Sequence, residues 1–327
     1  MALAMVGGTL HVLKLGANRM ADMRDRSSYD LKQVSRHIRA AGEDITLNRI
    51  NEEQGKRRAL PAAGGYTVEE AQALLSAEQW QELDSMIAIP AGAFIMGTGR
   101  ARSDAYDRPA HTVTTGRYRI DKYPVTNAQY ARFVAATGYR APLHWIKGRI
   151  PRGLEQHPVT MVSWYDASRY AQWAGKRLLH EAEWEKAARG RDQRRWPWGD
   201  QMDAGRLNTY YSVGSTSEVT RYPLGASPFG VMDMAGNITE WVADDFAAYS
   251  GSNAPAEVFV GKIAQANSPQ DRAMKVVDLV PVDGKYKVLR GGSWKSDPFS
   301  TAVYHRNFAW PHYASDFFGF RCGQDLK

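Results

Sequence analysis

The sequence predicts a mixed fold of short strands and short helices joined by much irregular chain. Three observations carry this. Glycine (29) is abundant alongside tryptophan (10) and tyrosine (16), so aromatic rings must fill a core between turns. Three short apolar-periodic segments each stop at a glycine, and strand-like runs between them seldom exceed about eight residues.

The elements follow in order. Arg24–Arg58 is polar, with few large apolar residues, and cannot build a core of its own. Exposed helices are expected over residues 30–41 and 46–54. Ala62-Ala63-Gly64-Gly65 reads as a linker. Thr67-Val68-Glu69-Glu70 is a capping box opening a helix to about Met86. Residues 89–97 read as a strand between turns, and Val113–Ile120 as a second. Thr126 caps a helix that stops at Gly138. Residues 166–174 form a helix that stops at Gly175, and residues 181–189 one that stops at Gly190.

Composition narrows the function classes. Lys and Arg are scattered among Asp and Glu, so the net charge of +7 forms no phosphate-binding stripe, and no nucleic-acid partner is expected. Cys322 is the only cysteine, which excludes an intramolecular disulfide, a Cys-rich zinc site and a two-thiol redox centre. The apolar stretch Met1–Leu13 is shorter than the roughly 20 residues of a span. It lacks the basic start and small-residue cleavage site of a secretory signal, and leaves membrane association through an apolar arm as an expectation.

Several blocks together resemble the formylglycine-generating enzyme, or sulfatase-modifying factor, family. They are Pro90-Ala91-Gly92 with Met96-Gly97, Pro158-Val159 to Ser163-Trp164, and Gly175-Lys176-Arg177-Leu178 followed by Glu181-Ala182-Glu183-Trp184-Glu185. Arg290-Gly291-Gly292-Ser293-Trp294 and Gly319-Phe320-Arg321-Cys322 complete the set. The resemblance implies an α+β fold related to C-type lectin domains over residues 87–327, preceded by a mostly helical extension (1–86). Residues 247–287 are expanded relative to the family. Within them Lys275–Pro281 reads as an added strand or hairpin arm ending at Asp283-Gly284.

The family's copper-binding cysteines fall, by resemblance, on Ser296 and Thr301, whose hydroxyls are poor ligands for Cu(I). Copper and formylglycine synthesis are therefore not expected. The family also includes ergothioneine-type sulfoxide synthases, whose iron-binding histidines lie in a separate helical domain, and the periplasmic enzyme of pyoverdine maturation. Residues 1–86 contain only His11 and His37, and no His-x3-His pattern.

Asp233-Met234-Ala235-Gly236-Asn237-Ile238-Thr239-Glu240 sets two carboxylates around a glycine turn, an arrangement of hard oxygens suited to calcium. The resemblance implies ligation by the side chains of Asp233 and Glu240 and the carbonyls of Gly236 and Ile238, with Asp233 in place of the usual Asn. A second calcium site would use Asn208. A turn held by Asp and Asn side chains without metal is the alternative. His305, His312 and Asp316 form the two-histidine, one-carboxylate set of many non-haem iron sites. Alternatively they line an aromatic groove with Tyr304, Trp310, Tyr313 and Phe317. Ser293, Trp294, Ser296 and Thr301 complete the candidate pocket.

The leading expectation is a calcium-stabilised, non-catalytic accessory or maturation subunit. It meets protein partners through residues 1–86 and 247–287, in an extracytoplasmic, periplasmic setting. The alternatives are an oxygen-dependent oxidase with a non-thiol metal site, acting on a peptide or peptide-derived substrate, and a lectin-like binding module.

Overall fold

The computed structural model describes residues 64–265, 278–281 and 284–326, all within the compact unit of residues 55–327. The helices expected over 30–41 and 46–54 lie outside the described residues. Among the described residues no helix is long and apolar enough to cross a membrane.

Two short helices come first, α1 (Val68–Gln72) and α2 (Ala77–Leu83). The single helix expected from Thr67 is divided, because Ser76 and Gln79 form a second capping box that restarts the chain in a new direction. Both helices join the core of the following domain rather than standing apart from it. Ala71 sits in the main apolar cluster, and Leu83 is buried with Tyr123, Val219 and Met232. The boundary drawn at 86/87 thus falls inside a continuous packing unit.

Strands β1 (Met86–Ile89), β4 (Tyr118–Asp121), β12 (Cys322–Asp325) and β5 (Arg177–Leu178) form one sheet in the order β1-β4-β12-β5. A second sheet has the order β10-β9-β6-β11, from β10 (Arg306–Ala309), β9 (Lys287–Arg290), β6 (Thr239–Asp245) and β11 (Phe318–Phe320). Among the described strands only β11 and β6 pair in parallel. Strands β2 (Gly92–Met96) and β3 (His111–Thr115) make a separate two-stranded ribbon. The runs read as single strands over 89–97 and 113–120 are therefore each cut in two. Pro90-Ala91 and Gly116-Arg117 are the breaks, and the two pieces of each run enter different sheets.

Three longer helices match their punctuation. Helix α3 (Asn127–Thr137) starts on the Thr126–Gln129 capping box and ends at Gly138 with φ 68°. Helix α4 (Trp164–Trp173) starts on Ser163–Asp166, two residues before its expected first residue. Helix α5 (Glu181–Arg189) has only half a box: Glu183 accepts from the His180 backbone, but the His180 ring makes no cap bond. Tyr130 of α3 stacks on Tyr170 of α4, and both contact Phe320 of β11. Trp184 of α5 lies fully buried in the second cluster with Ile89, Tyr118 and Val288.

Buried ion pairs tie α5 to the second sheet. Glu185 accepts from Arg189 one turn on and from Arg290 of β9, while Glu181 takes both Nε and Nη2 of Arg306 in β10. Lys186 donates to the carbonyls of Pro90 and Gly92 and to Thr115, which fastens the β2–β3 ribbon. The expanded region contributes a hairpin, β7 (Lys262–Gln265) against β8 (Asp278–Pro281). The expected strand over 275–281 is described only from residue 278.

Candidate functional site

Three irregular segments converge where the resemblance places the pocket: residues 208–212, 233–238 and 291–301. Gly291 and Gly292 turn the chain out of β9 with φ of 95° and 67°. A β-carbon at Gly292 would stand 2.7 Å from the Ser300 carbonyl, so this bend requires glycine. Backbone bonds then lock the segments together. Gly236 donates to the Gly291 carbonyl, Trp294 to that of Asn237, and Tyr210 and Tyr211 to those of Ser296 and Trp294.

At the two positions where the family carries cysteines, the hydroxyls are engaged in holding the loop. Ser296 Oγ accepts from the Ser293 backbone at 2.9 Å and lies 3.3 Å from Ser293 Oγ. Thr301 is fully buried, donating to the Pro298 carbonyl at 2.7 Å and accepting from Trp196 Nε1 at 3.1 Å. The indole would lose its partner if Thr301 turned toward a ligand.

The rim is aromatic and charged. Trp294 packs edge-on against Tyr211, and Lys295 Nζ lies 4.7 Å from the Trp294 ring centre and 4.9 Å from that of Phe317. Lys295 pairs with Asp316 at 2.7 Å. His144 faces the Asp316 charge. Burial lowers its pKa, Asp316 opposes that shift, and its Nδ1 has no hydrogen-bond partner among the described residues. Nothing in the sequence pattern marks His144, a lone histidine in a loop, so reading the sequence misses it.

The expected set of His305, His312 and Asp316 does not assemble. Asp316 is held by Lys295, and His312 stacks beside Trp310 and meets Tyr313 edge-on, with its pKa lowered by burial. His305 points instead to Asp107 and Asp104, at 3.3 and 3.6 Å. The seven-residue step from 305 to 312 runs the length of β10 and reverses at Pro311, which separates the two rings. Of the aromatic residues in this stretch, Tyr304 and Trp310 are buried and Tyr313 is exposed.

The residues of the expected calcium set form a hydrogen-bonded turn. Both oxygens of Glu240 are taken: Arg321 donates through Nη2 to Oε1 and through Nε to Oε2, each at 2.7 Å, and Trp184 donates to Oε2. Asp233 accepts from Asn237 Nδ2 at 2.8 Å, and the Gly236 carbonyl accepts from the Ile238 N–H. Asn208, the expected second site, uses its Nδ2 on the Ser215 carbonyl and on Asn237 Oδ1, and its carbonyl accepts from the Asn237 N–H. The segment is a turn held by Asp and Asn side chains. Asp233 and Asn237 both adopt left-handed backbone, with φ of 53° and 63°.

A family model described as the sulfatase-modifying factor enzyme 1-like domain matches residues 71–326. Serine/threonine-protein kinase Pkn1 of Chlamydia trachomatis is 36% identical over 263 residues, 75% of this chain and 39% of its own length. This chain therefore spans about two fifths of that relative. The formylglycine-generating enzyme of Mus musculus is 30% identical over 331 residues, 83% of each chain, and proteins named hercynine oxygenase match as well. Among solved structures, PvdO from Pseudomonas aeruginosa superposes with a TM-score of 0.56 at 30% identity, over 74% of this chain and 94% of its own. With the mixed sheet-and-helix architecture and the Gly-Gly-Ser loop in place, the chain belongs to the sulfatase-modifying factor enzyme 1-like family.

Proposed function

We propose that this chain is a non-catalytic binding member of its family, an accessory subunit that presents an aromatic cleft and a hairpin arm to a protein partner. One observation carries the reading. At the positions of the family's reactive thiols stand two hydroxyls that hold the loop's own fold, so the centre offers no soft ligand and no free nucleophile. The surface around it keeps what recognition needs, an exposed Tyr210, the Trp294–Tyr211 ring pair and the Lys295–Asp316 pair.

Two further points support the partner role. The β7–β8 arm has an anchored base, with Trp310 Nε1 donating to the Lys262 carbonyl and Tyr286 bonded to the Lys262 backbone. In Pkn1 a segment like this chain forms a minority of a longer protein named for another activity, the use expected of a binding module. An extracytoplasmic location belongs to the proposal, on the family's habit alone. Calcium at the Asp233–Glu240 turn belongs to it as well, on the resemblance alone, with Glu240 also paired to Arg321.

The purified full chain, analysed for metals and assayed for oxygen uptake with thiol and peptide substrates, is expected to carry no stoichiometric copper or iron and to consume no oxygen. Turnover, or one equivalent of either metal, would replace this reading with the oxidase alternative that the oxygenase relatives suggest.

A further inference from the structure

Six of the buried carboxylates (Asp121, Asp166, Glu181, Glu183, Glu185 and Glu240) are each paired with a Lys or Arg. Asp107 is not, although it is fully buried. The one basic side chain within ion-pair distance of it, among the described residues, is His305, itself 7% exposed. The same ring nitrogen faces Asp104, whose side chain is 46% exposed and opens the group to solvent. Asp104 and Asp107 flank a short 3-10 turn, and His305 comes from the segment entering β10, about 200 residues away.

The spacing is informative. His305 Nδ1 lies 3.3 Å from Asp107 Oδ2 and 3.6 Å from Asp104 Oδ2, and the three ligand atoms all fall within 4.8 Å of one another. A charge-assisted hydrogen bond draws its atoms to about 2.7–2.9 Å. Two ligands of one tetrahedral ion bound at about 2.0–2.2 Å stand roughly 3.3–3.5 Å apart. These two separations suit an ion pair and equally match two ligands sharing one tetrahedral ion. The remaining contacts leave room for one: Asp107 Oδ1 accepts from the Arg306 N–H at 2.9 Å, and Oδ2 has only the 3.3 Å contact from the Asp104 N–H besides the imidazole. Tyr106 donates to Asp104 Oδ2 at 2.8 Å, an outer contact that orients a ligating carboxylate.

We propose that Asp104, Asp107 and His305 bind one divalent transition-metal ion of the zinc type, through two carboxylate oxygens and one imidazole nitrogen, with a fourth position open to solvent beside Asp104. The site uses none of the residues of the 291–301 loop and stands whether or not the cleft is catalytic. Its role is to neutralise Asp107 and clamp the 104–107 turn to the start of β10.

The test titrates metal-free full-length protein with Zn2+ against a chromogenic chelator, and with Co2+ by visible absorption. Wild type is expected to bind one equivalent of Zn2+, to give the intense d–d bands of tetrahedral Co2+, and to melt at a higher temperature with Zn2+ than with chelator. Asp104→Asn, at a half-exposed position, is expected to weaken Zn2+ binding by more than about tenfold while melting like wild type in chelator. His305→Phe keeps the buried ring volume and is expected to abolish the Co2+ spectrum. Failure of the wild type to bind Zn2+, or unchanged affinity in Asp104→Asn, overturns the site and leaves His305 as a hydrogen-bond partner of Asp107.

Discussion

Asp233→Asn tests the turn at the centre of the site most directly. The Asp233 carboxyl is 6% exposed and hydrogen-bonded to Asn237, with no Lys or Arg in ion-pair contact among the described residues. Burial, only partly offset by the Asn237 bond and the distant charge of Arg321, pushes its pKa up from 3.8 to about 7. A carboxyl raised in the folded state binds a proton that the unfolded chain has already released. Stability from this group is therefore complete below about pH 4 and is lost as pH rises through about 7. A shift of roughly three pH units corresponds to at most about 4 kcal/mol. Asparagine keeps the shape and an acceptor for Asn237 but never ionises. The variant should match wild type near pH 4.5 and exceed it at pH 8 by about 1–4 kcal/mol, read by urea denaturation at both pH values. A variant less stable at pH 8, or a difference that does not change with pH, would refute the reasoning. If chelator destabilises wild type but not the variant at pH 8, calcium ligation by Asp233 is restored.

Other outcomes follow from the same geometry. Arg321→Met strands the buried Glu240 carboxylate and should cost about 3–5 kcal/mol in chemical denaturation, much of it regained in the double variant with Glu240→Gln. Thr301→Val removes the acceptor of Trp196 Nε1 and should cost about 1–3 kcal/mol, with a shift in tryptophan emission marking the indole's changed surroundings. Gly292→Ala forces a β-carbon to 2.7 Å from the Ser300 carbonyl at a positive φ, and should lower Tm by several degrees. Cys322 is fully buried, and burial holds its thiol well above the usual range. It should resist thiol reagents in the native protein and react stoichiometrically once denatured.

Local signals were legible wherever one residue type satisfies a backbone requirement. Thr126 with Gln129, Ser163 with Asp166, and the glycines at 138 and 190 mark helix ends in sequence and in structure alike, because capping is settled within four residues. The second capping box at Ser76–Gln79 was equally readable, yet the apolar run through Leu74, Leu75 and Trp80 masks it as one helix. What the sequence does not disclose is which distant partner claims a charged side chain. Glu240 sits in the expected calcium set, and the sequence gives no sign that Arg321, 81 residues on, donates to both its oxygens. His305 has the spacing of an iron ligand with His312 until β10 turns the two apart and Asp107 arrives from 198 residues earlier. Such pairings depend on tertiary approach, which no local period encodes.

The placement of β11 and β12 bears on biosynthesis. Residues 318–320 supply an edge of one four-stranded sheet, and residues 322–325 lie between β4 and β5 in the other. Neither sheet is complete, and the Arg321–Glu240 pair between them cannot form, until this eight-residue stretch has been translated and has cleared the ribosome. A nascent chain of this protein therefore holds its aromatic core open until residues 318–325 have emerged. Its dependence on chaperones should be governed by how soon these two strands arrive rather than by how fast its helices form.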